Sequence, residues 1–190
     1  TSDIPIGKGC SSSSAILVAW VALLSRIATE GQALTVEEAA RLAYSAEVKE
    51  LNEPGGMMEH YTSALGGLVH IETKGEIKVK PLVAKLEGIF VLGDSLEPKD
   101  TTGVLGSVRG RAVGGMEIVR GSVPSADWET LGIPEADGAL ASAPDLYARA
   151  VIGNIRNRDL TRAALTMLET PSPDPALIGA LLAAEHELLR

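Results

Sequence analysis

A segment rich in glycine and serine near the start of the sequence has the residue types of a loop that binds an anion. Residues 5–14 read PIGKGCSSSS and precede an apolar stretch that predicts a buried helix. A buried helix must satisfy the free N–H groups at its start, and a single serine can cap it. Four serines and two glycines exceed that need, and glycine lets the backbone approach a ligand closely. The segment therefore favours an anion bound at the positive end of a helix.

Two common phosphate-binding patterns do not describe this segment. It lacks the Gly-Lys-Ser/Thr ending of the Walker pattern, and Ser12 stands where the dinucleotide-binding pattern has its third glycine. A serine-rich cap on a core helix stays open as the alternative, because serine is a favoured capping residue.

Glu47 lies on the apolar face of the second predicted helix. Val36, Ala40, Ala43 and Glu47 are spaced i, i+4, i+7 and i+11, so they line one stripe. A carboxylate on a buried stripe is costly unless it meets a metal, a cation or hydrogen-bond donors. Glu47 is therefore a candidate ligand, and the alternative is that it ends the stripe at the surface or pairs with a lysine.

A second candidate acid follows a glycine turn. Residues 54–61 read PGGMMEHY, so the turn delivers Glu59 shortly after the second helix. Loops of this kind often carry chemistry, although a plain turn explains the same residues.

The predicted elements alternate between helices and short strands in the first part of the chain and are helical in the rest. A capping box formed by Thr35 and Glu38 starts the second helix. The expected elements are a helix to about Thr29, a helix from Thr35 to near Glu50, a hairpin with strands around Val69–Ile71 and Ile77–Val79, a buried strand at Ile89–Leu92, a loop at Asp94–Thr102, and helices at Gly103–Ile118, Asp145–Asn157, Asp159–Glu169 and Asp174–Arg190. The composition shifts near Ser122, where we place a domain boundary.

Composition excludes several classes of protein. The formal charge of -8 would repel the phosphates of a nucleic acid, so no nucleic-acid partner is expected. The longest apolar run, Ala15–Leu24, is about half of what a bilayer requires, so no membrane partner is expected either. The single cysteine, Cys10, fits a reducing compartment and predicts the cytoplasm. The chain begins at Thr1 without methionine and ends within a helical pattern, so we expect further sequence at both ends.

Taken together, the three patches resemble the GHMP kinase superfamily and, within it, the galactokinase branch. Residues 5–13 resemble that family's phosphate loop, Pro-x-Gly-x-Gly-Leu-Ser-Ser-Ser, with Cys10 in place of leucine. Glu47 falls where relatives carry a magnesium-ligating glutamate. Residues 56–59, GMME, resemble the family's Gly-Ile-Met-Asp, whose aspartate is the catalytic base. The spacing of the two acids agrees with that of galactokinases.

The resemblance implies an α+β fold with two domains. Residues 1–122 would form part of an N-terminal ATP- and magnesium-binding domain of the ribosomal-S5-like α/β type. Residues 123–190 would form part of a C-terminal α+β domain that is mostly helical in this chain. The function implied is transfer of the ATP γ-phosphate to a hydroxyl of a sugar or similar metabolite, with ATP and Mg²⁺ as cofactors and an oligomeric state that the sequence leaves undefined.

The resemblance also implies roles for individual residues. Glu47 would bind Mg²⁺ together with Ser12 and Ser13, and Glu59 would act on the acceptor hydroxyl. The residues implied to bind the nucleotide are Gly7, Lys8, Gly9, Cys10, Ser11, Ser12 and Ser13.

This sequence departs from the family pattern at the presumed catalytic position. Glu59 replaces the family's aspartate, and His60 replaces the usual glutamine. The loop at Asp94–Thr102 contains no tyrosine where galactokinases carry a sugar-contacting one. Two alternatives therefore stay open, namely a kinase-like sensor that binds nucleotide or sugar without transferring phosphate, and a kinase of the mevalonate type.

Overall fold

The computed structural model describes residues 5–28, 33–51, 55–87, 89, 91–93, 96 and 101–188. The chain divides into two compact units, the first comprising Thr1–Leu82 with Phe90–Thr102 and the second Val83–Ile89 with Gly103–Arg190. These units are not domain assignments, so the predicted boundary between residues 122 and 123 stays a prediction.

Three helices form the body of the first unit. They are α1 (Ser12–Ala28), α2 (Val36–Tyr44), which continues directly into a five-residue π-helix (Ser45–Lys49), and α3 (Met58–Leu65). Each of the three α-helices packs against the other two. The predicted capping box starts α2, because the Thr35 hydroxyl accepts a bond from the Glu38 N–H and the Glu38 carboxylate accepts one from the Thr35 N–H.

A two-stranded antiparallel hairpin follows α3. Gly66 ends α3 with φ of +69°, a conformation that glycine adopts without steric cost. Strand β1 (Val69–Glu72) then pairs with β2 (Lys78–Pro81), with Ile71 opposite Val79. Helices with a small sheet agree with the predicted α+β class.

All regular secondary structure among the described residues of the second unit is helical. Its helices are α4 (Thr101–Ser122), α5 (Ile133–Leu140), α6 (Asp145–Leu168) and α7 (Pro175–Leu188). A single core joins α4, α5 and α6 and contains Met116, Val119, Ala126, Leu131, Ala136, Leu140, Val151 and Ile155. In the described part of the chain, each helix is too short or too polar to cross a bilayer.

Close packing in this unit depends on a glycine pair in α4. A Cβ atom on Gly115 would lie 2.6 Å from Val151 Cγ2 and 3.0 Å from the backbone oxygen of Tyr147. A Cβ on Gly114 would lie 2.9 Å from the Tyr147 ring. The two glycines therefore let α4 and α6 approach more closely than larger residues would allow.

Backbone carbonyls of the segment between α4 and α5 are held by an arginine of α6. Arg158 Nη1 donates to the carbonyl oxygens of Trp128 at 2.8 Å and Leu131 at 2.9 Å. The segment is thereby fixed against the helix that packs beside it.

Two sequence-based expectations for the elements were wrong, and two helices were not predicted. The helices predicted at Asp145–Asn157 and Asp159–Glu169 are one continuous helix, α6, because no glycine or proline stands at the predicted break between Asn157 and Asp159. At the predicted strand Ile89–Leu92, the described residues are not in a strand, and Ile89 and Val91 are 92% and 89% exposed. Helices α3 and α5 were not predicted.

The helix predicted at Gly103–Ile118 is real, but it extends from Thr101 to Ser122. Most of the predicted loop at Asp94–Thr102 lies outside the described residues.

Candidate functional site

The glycine- and serine-rich segment forms an exposed loop that turns into α1. Gly7 and Gly9 have φ of +72° and +75°, and nothing lies within 4 Å of a Cβ built on either residue. The left-handed backbone, and not lack of space, is therefore what favours glycine at both positions. Ser11 also has a positive φ, +52°, which is uncommon for a residue other than glycine or asparagine. Such conformations cluster at ligand-binding sites.

The start of α1 combines free N–H groups with hydroxyls. The Ser11 carbonyl accepts the N–H of Ala15 at 3.0 Å, so the N–H groups of residues 12–14 precede the first intrahelical bond. Ser12 Oγ accepts the Gly7 N–H at 3.4 Å, and Ser13 is exposed. The positive end of the helix dipole thus lies where the exposed loop joins the helix.

Glu47 is the carboxylate that the fold brings to this helix start. Ser14 Oγ donates to Glu47 Oε2 at 2.9 Å, and the buried hydroxyl of Ser14 belongs to the first turn of α1. On its other side, His60 Nε2 lies 2.7 Å from the same oxygen. The Glu47 side chain is 22% exposed, so it remains accessible to a small ligand.

The environment of Glu47 favours its charged form. Burial by itself would raise its pKa, but hydrogen bonds from Ser13, Ser14 and His60, with the attraction of the His60 ring, lower the pKa below the ordinary value of 4.5. At neutral pH the site therefore holds a carboxylate rather than a carboxylic acid.

A local change of helix type positions Glu47. The Glu50 N–H donates to the Ser45 carbonyl at 3.0 Å, an i to i+5 bond that widens the helix through Ser45–Lys49. Single π-turns of this kind occur frequently at functional sites. Here the wider turn carries both Glu47 and the buried Val48.

His60 is the most buried polar residue of the site. Its side chain is 1% exposed, and its ring meets the Tyr44 ring edge-on at a centroid distance of 5.6 Å. A carboxylate can only accept, so the short contact to Glu47 assigns the proton to Nε2. The other ring nitrogen, Nδ1, is buried and has no hydrogen-bond partner among the described residues.

Glu59 occupies a different setting. It lies in the first turn of α3, directly before His60, and its side chain is exposed. Among the described residues, no hydrogen bond or ion pair joins Glu59 to Glu47 or to the serines of α1. The base role implied for Glu59 stays a prediction, and so do the nucleotide-binding and metal roles implied for residues 7–13 and for Glu47.

Ser14 and His60 were missed by the sequence analysis. Ser14 is the fourth serine of the run, and the family pattern that guided the assignment contains only three. His60 carried one signal, its substitution for the family's glutamine, but no local spacing links it to Glu47.

The donor set at this site fits magnesium better than a transition metal. The described residues contain no group of three or more His, Cys, Asp or Glu side chains that could hold a metal ion. Mg²⁺ needs no such cage, because it is usually bound by one or two carboxylates together with substrate phosphates and water. One charged carboxylate beside serine hydroxyls meets this description.

Comparison with known proteins finds a matching family model and a set of relatives. Residues 1–67 match the family model of the GHMP kinases N terminal domain. Proteins named mevalonate kinase from Thermococcus gammatolerans, Thermococcus sibiricus and Thermococcus onnurineus are each 36% identical to this chain over 83 residues.

The matched region covers 44% of this chain and 24% of each relative, so the chain spans about a quarter of the length of the curated relatives it matches. No solved structure is significantly similar to it. The galactokinase branch favoured by the motifs is not confirmed, because these relatives are named for mevalonate.

Proposed function

We propose that the protein is an ATP-dependent kinase of the GHMP superfamily that phosphorylates an alcohol of a small metabolite, because its first 67 residues match the family model of the GHMP kinases N terminal domain. The similarity to proteins named mevalonate kinase supports an acceptor of the mevalonate type over a sugar. The cytoplasm, predicted from the single cysteine, stays the expected location.

The observation that carries this proposal is the hydrogen bond between Ser14 and Glu47. It holds a charged carboxylate at the first turn of α1, where free N–H groups attract anions. An anion alone at that helix start would be repelled by Glu47. A divalent cation between the carboxylate and the anion removes this repulsion, so the arrangement is typical of a site for a metal-bound polyphosphate.

The chain's own groups divide the task of phosphoryl transfer among them. Backbone N–H groups of the loop from Gly7 to Cys10, which includes Lys8 and Gly9, would surround the ATP phosphates, with the hydroxyls of Ser11–Ser13 beside them. Glu47, Ser12 and Ser13 would hold Mg²⁺. When bound, Mg²⁺ supplies charge neutralisation to the phosphate oxygens.

Glu59 is the residue that would act on the acceptor hydroxyl. Phosphoryl transfer depends mainly on positioning and electrostatics, so a single carboxylate that orients the hydroxyl and accepts its proton is sufficient. The exposure of Glu59 at the start of α3 leaves it open to a substrate.

A second candidate function is a kinase-like sensor that binds nucleotide without transferring phosphate. It is favoured by Glu59, whose extra methylene relative to aspartate moves the carboxylate. A misplacement of about 1 Å at a reacting centre can cost on the order of a hundredfold in rate.

Product formation by the whole protein separates these functions. Purified protein would be incubated with ATP, Mg²⁺ and either mevalonate or a panel of sugars, and phosphorylated product measured by mass spectrometry. The proposal predicts product with mevalonate or a similar alcohol. Saturable ATP binding without product from any acceptor would favour the sensor.

Glu47→Ala tests the metal assignment, with Glu37→Ala on the exposed face of α2 as the matched control. We expect Glu47→Ala to abolish magnesium-dependent turnover and Glu37→Ala to leave it unchanged. Full turnover by Glu47→Ala would contradict the assignment.

Cys10 offers a direct test of nucleotide binding at the loop. Its thiol is exposed, so an alkylating reagent should modify it readily. ATP with Mg²⁺ should slow this modification, and ATP with a chelator should slow it less, as followed by mass spectrometry of the Cys10 peptide. Equal rates with and without nucleotide would place ATP elsewhere.

A further inference from the structure

The buried histidine of the site has a cost that its packing alone does not explain. His60 is 1% exposed, and its Nδ1 lacks a hydrogen-bond partner among the described residues. A buried polar atom without a partner destabilises a fold, whereas an apolar side chain of similar volume would fill the same space without this penalty. An apolar residue could not form the hydrogen bond that Nε2 makes with Glu47.

Two of the three donors to Glu47, Ser14 and His60, bind the same carboxylate oxygen. Ser14 Oγ and His60 Nε2 lie 2.9 Å and 2.7 Å from Oε2. Two donors on one oxygen restrict the rotation of the carboxylate, and Ser13 adds a further hydrogen bond to the same group. The edge-on contact with Tyr44 in turn restricts the rotation of the His60 ring.

We propose that His60 is a positioning residue that orients the Glu47 carboxylate toward a divalent cation. The inference rests on the proposed function, in which Glu47 binds Mg²⁺ with ATP. Carboxylates that bind metals are commonly held by such hydrogen bonds, and loss of the supporting partner typically lowers metal affinity or activity by about 10- to 100-fold. His60 acts through Glu47 and does not itself contact the cation.

The test compares two substitutions at His60 in the whole protein. His60→Leu removes the donor and keeps much of the volume, whereas His60→Gln supplies an amide N–H that can still donate to Oε2. His70→Gln on β1, a half-buried histidine outside the site, is the matched control. ATP binding is measured by calorimetry at increasing Mg²⁺ and again with a chelator, and thermal unfolding is measured in parallel.

We expect His60→Leu to raise the Mg²⁺ concentration for half-maximal ATP binding by about 10- to 100-fold. Binding with the chelator should not change. His60→Gln should recover most of the Mg²⁺ response, and His70→Gln should match the wild type. If His60→Leu does not fold, His60→Met gives the same comparison, because flexible methionine fills irregular space.

Two results would overturn the inference, and they are distinguishable. Wild-type ATP binding that does not depend on Mg²⁺ would refute the proposed function and the role of His60 with it. Wild-type binding that depends on Mg²⁺, with His60→Leu equal to wild type or His60→Gln no better than His60→Leu, would refute the role of His60 alone.

Discussion

The glycine at the contact between α4 and α6 allows a quantitative test of the packing in the second unit. Gly115→Ala places a methyl group 2.6 Å from Val151 Cγ2 and 3.0 Å from the backbone oxygen of Tyr147. Val151 is fully buried in the core, so it has little room to move away. Gly110→Ala is the matched control, because Gly110 is exposed in the same helix and nothing lies within 4 Å of its Cβ position.

Both substitutions gain the higher helix propensity of alanine, but only Gly115→Ala adds the cost of overpacking. Replacing glycine with alanine inside a helix stabilises it by about 1 kcal/mol. Overpacking a well-packed site costs about 1–3 kcal/mol. Gly110→Ala should therefore raise the free energy of unfolding by about 1 kcal/mol. Gly115→Ala should be about 1–3 kcal/mol less stable than Gly110→Ala, since the helix term cancels in that difference.

Urea unfolding followed by tryptophan fluorescence measures this difference. Trp128 packs against the core of the second unit, whereas Trp20 is exposed on α1. In a Trp20→Phe background, the tryptophan fluorescence of this sequence comes from Trp128 and therefore reports on the second unit. If Gly115→Ala were as stable as Gly110→Ala, the close approach of α4 and α6 would be wrong.

Three further predictions concern single contacts. Hydrogen bonds from the Thr35 backbone and hydroxyl lower the pKa of Glu38, so its contribution to stability is present above pH 4.5 and is lost as the pH falls through the lowered pKa. Urea unfolding across this range should show the difference between wild type and Glu38→Gln disappearing in acid. Arg158→Met removes two hydrogen bonds to backbone carbonyls and should lower the free energy of unfolding by about 1.5–3 kcal/mol, measured by urea unfolding. Ser14→Ala removes a bond to the Glu47 carboxylate and should cost about 1–2 kcal/mol in the same assay.

Controls for these variants come from exposed residues of the same helices. The difference in free energy of unfolding between wild type and Glu37→Gln should change less with pH than the difference for Glu38→Gln. Arg162→Met breaks exposed contacts, namely the ion pair with Glu129, a hydrogen bond to the Glu129 carbonyl and a longer ion pair with Asp159. It should cost less than about 1 kcal/mol. A loss in Arg162→Met equal to that in Arg158→Met would contradict the structural role given to Arg158.

Features that depend on neighbours in sequence could be predicted. The capping box at Thr35 and Glu38 involves residues three apart, and α2 begins where the pattern predicts. The apolar stripe placed Glu47 on the inner side of its helix, and its side chain is only 22% exposed. Both predictions rest on local geometry that the chain carries with it.

The division of α6 was wrong for a local reason. The second of the two predicted helices began at Asp159, and aspartate is a residue type favoured at helix starts. In the structure its carboxylate instead pairs with Arg158 at 2.7 Å and Arg162 at 3.8 Å along the surface of one continuous helix. A charged residue inside a helix and a capping residue look alike when neither is accompanied by glycine or proline.

Contacts between distant residues could not be predicted. Ser14 and His60 lie 33 and 13 residues from Glu47 in the sequence, and only the packing of α1, α2 and α3 brings them together. The apolar run at Ile89–Leu92 predicted burial, but burial needs a partner surface that a run of apolar residues does not specify. The sequence pattern therefore identified Glu47 as a candidate ligand but not Ser14 and His60, which hydrogen-bond to it.

The π-helix at Ser45–Lys49 limits how this segment can be edited or transplanted. An α-helix advances by 3.6 residues per turn, so an inserted or deleted residue turns everything beyond it by about 100°. Deleting one residue of the π-helix would restore ordinary α-helix geometry. Glu47 would then rotate away from Ser14, although the residue itself would be unchanged. Grafts of this motif onto another helix should therefore carry the five residues as a block.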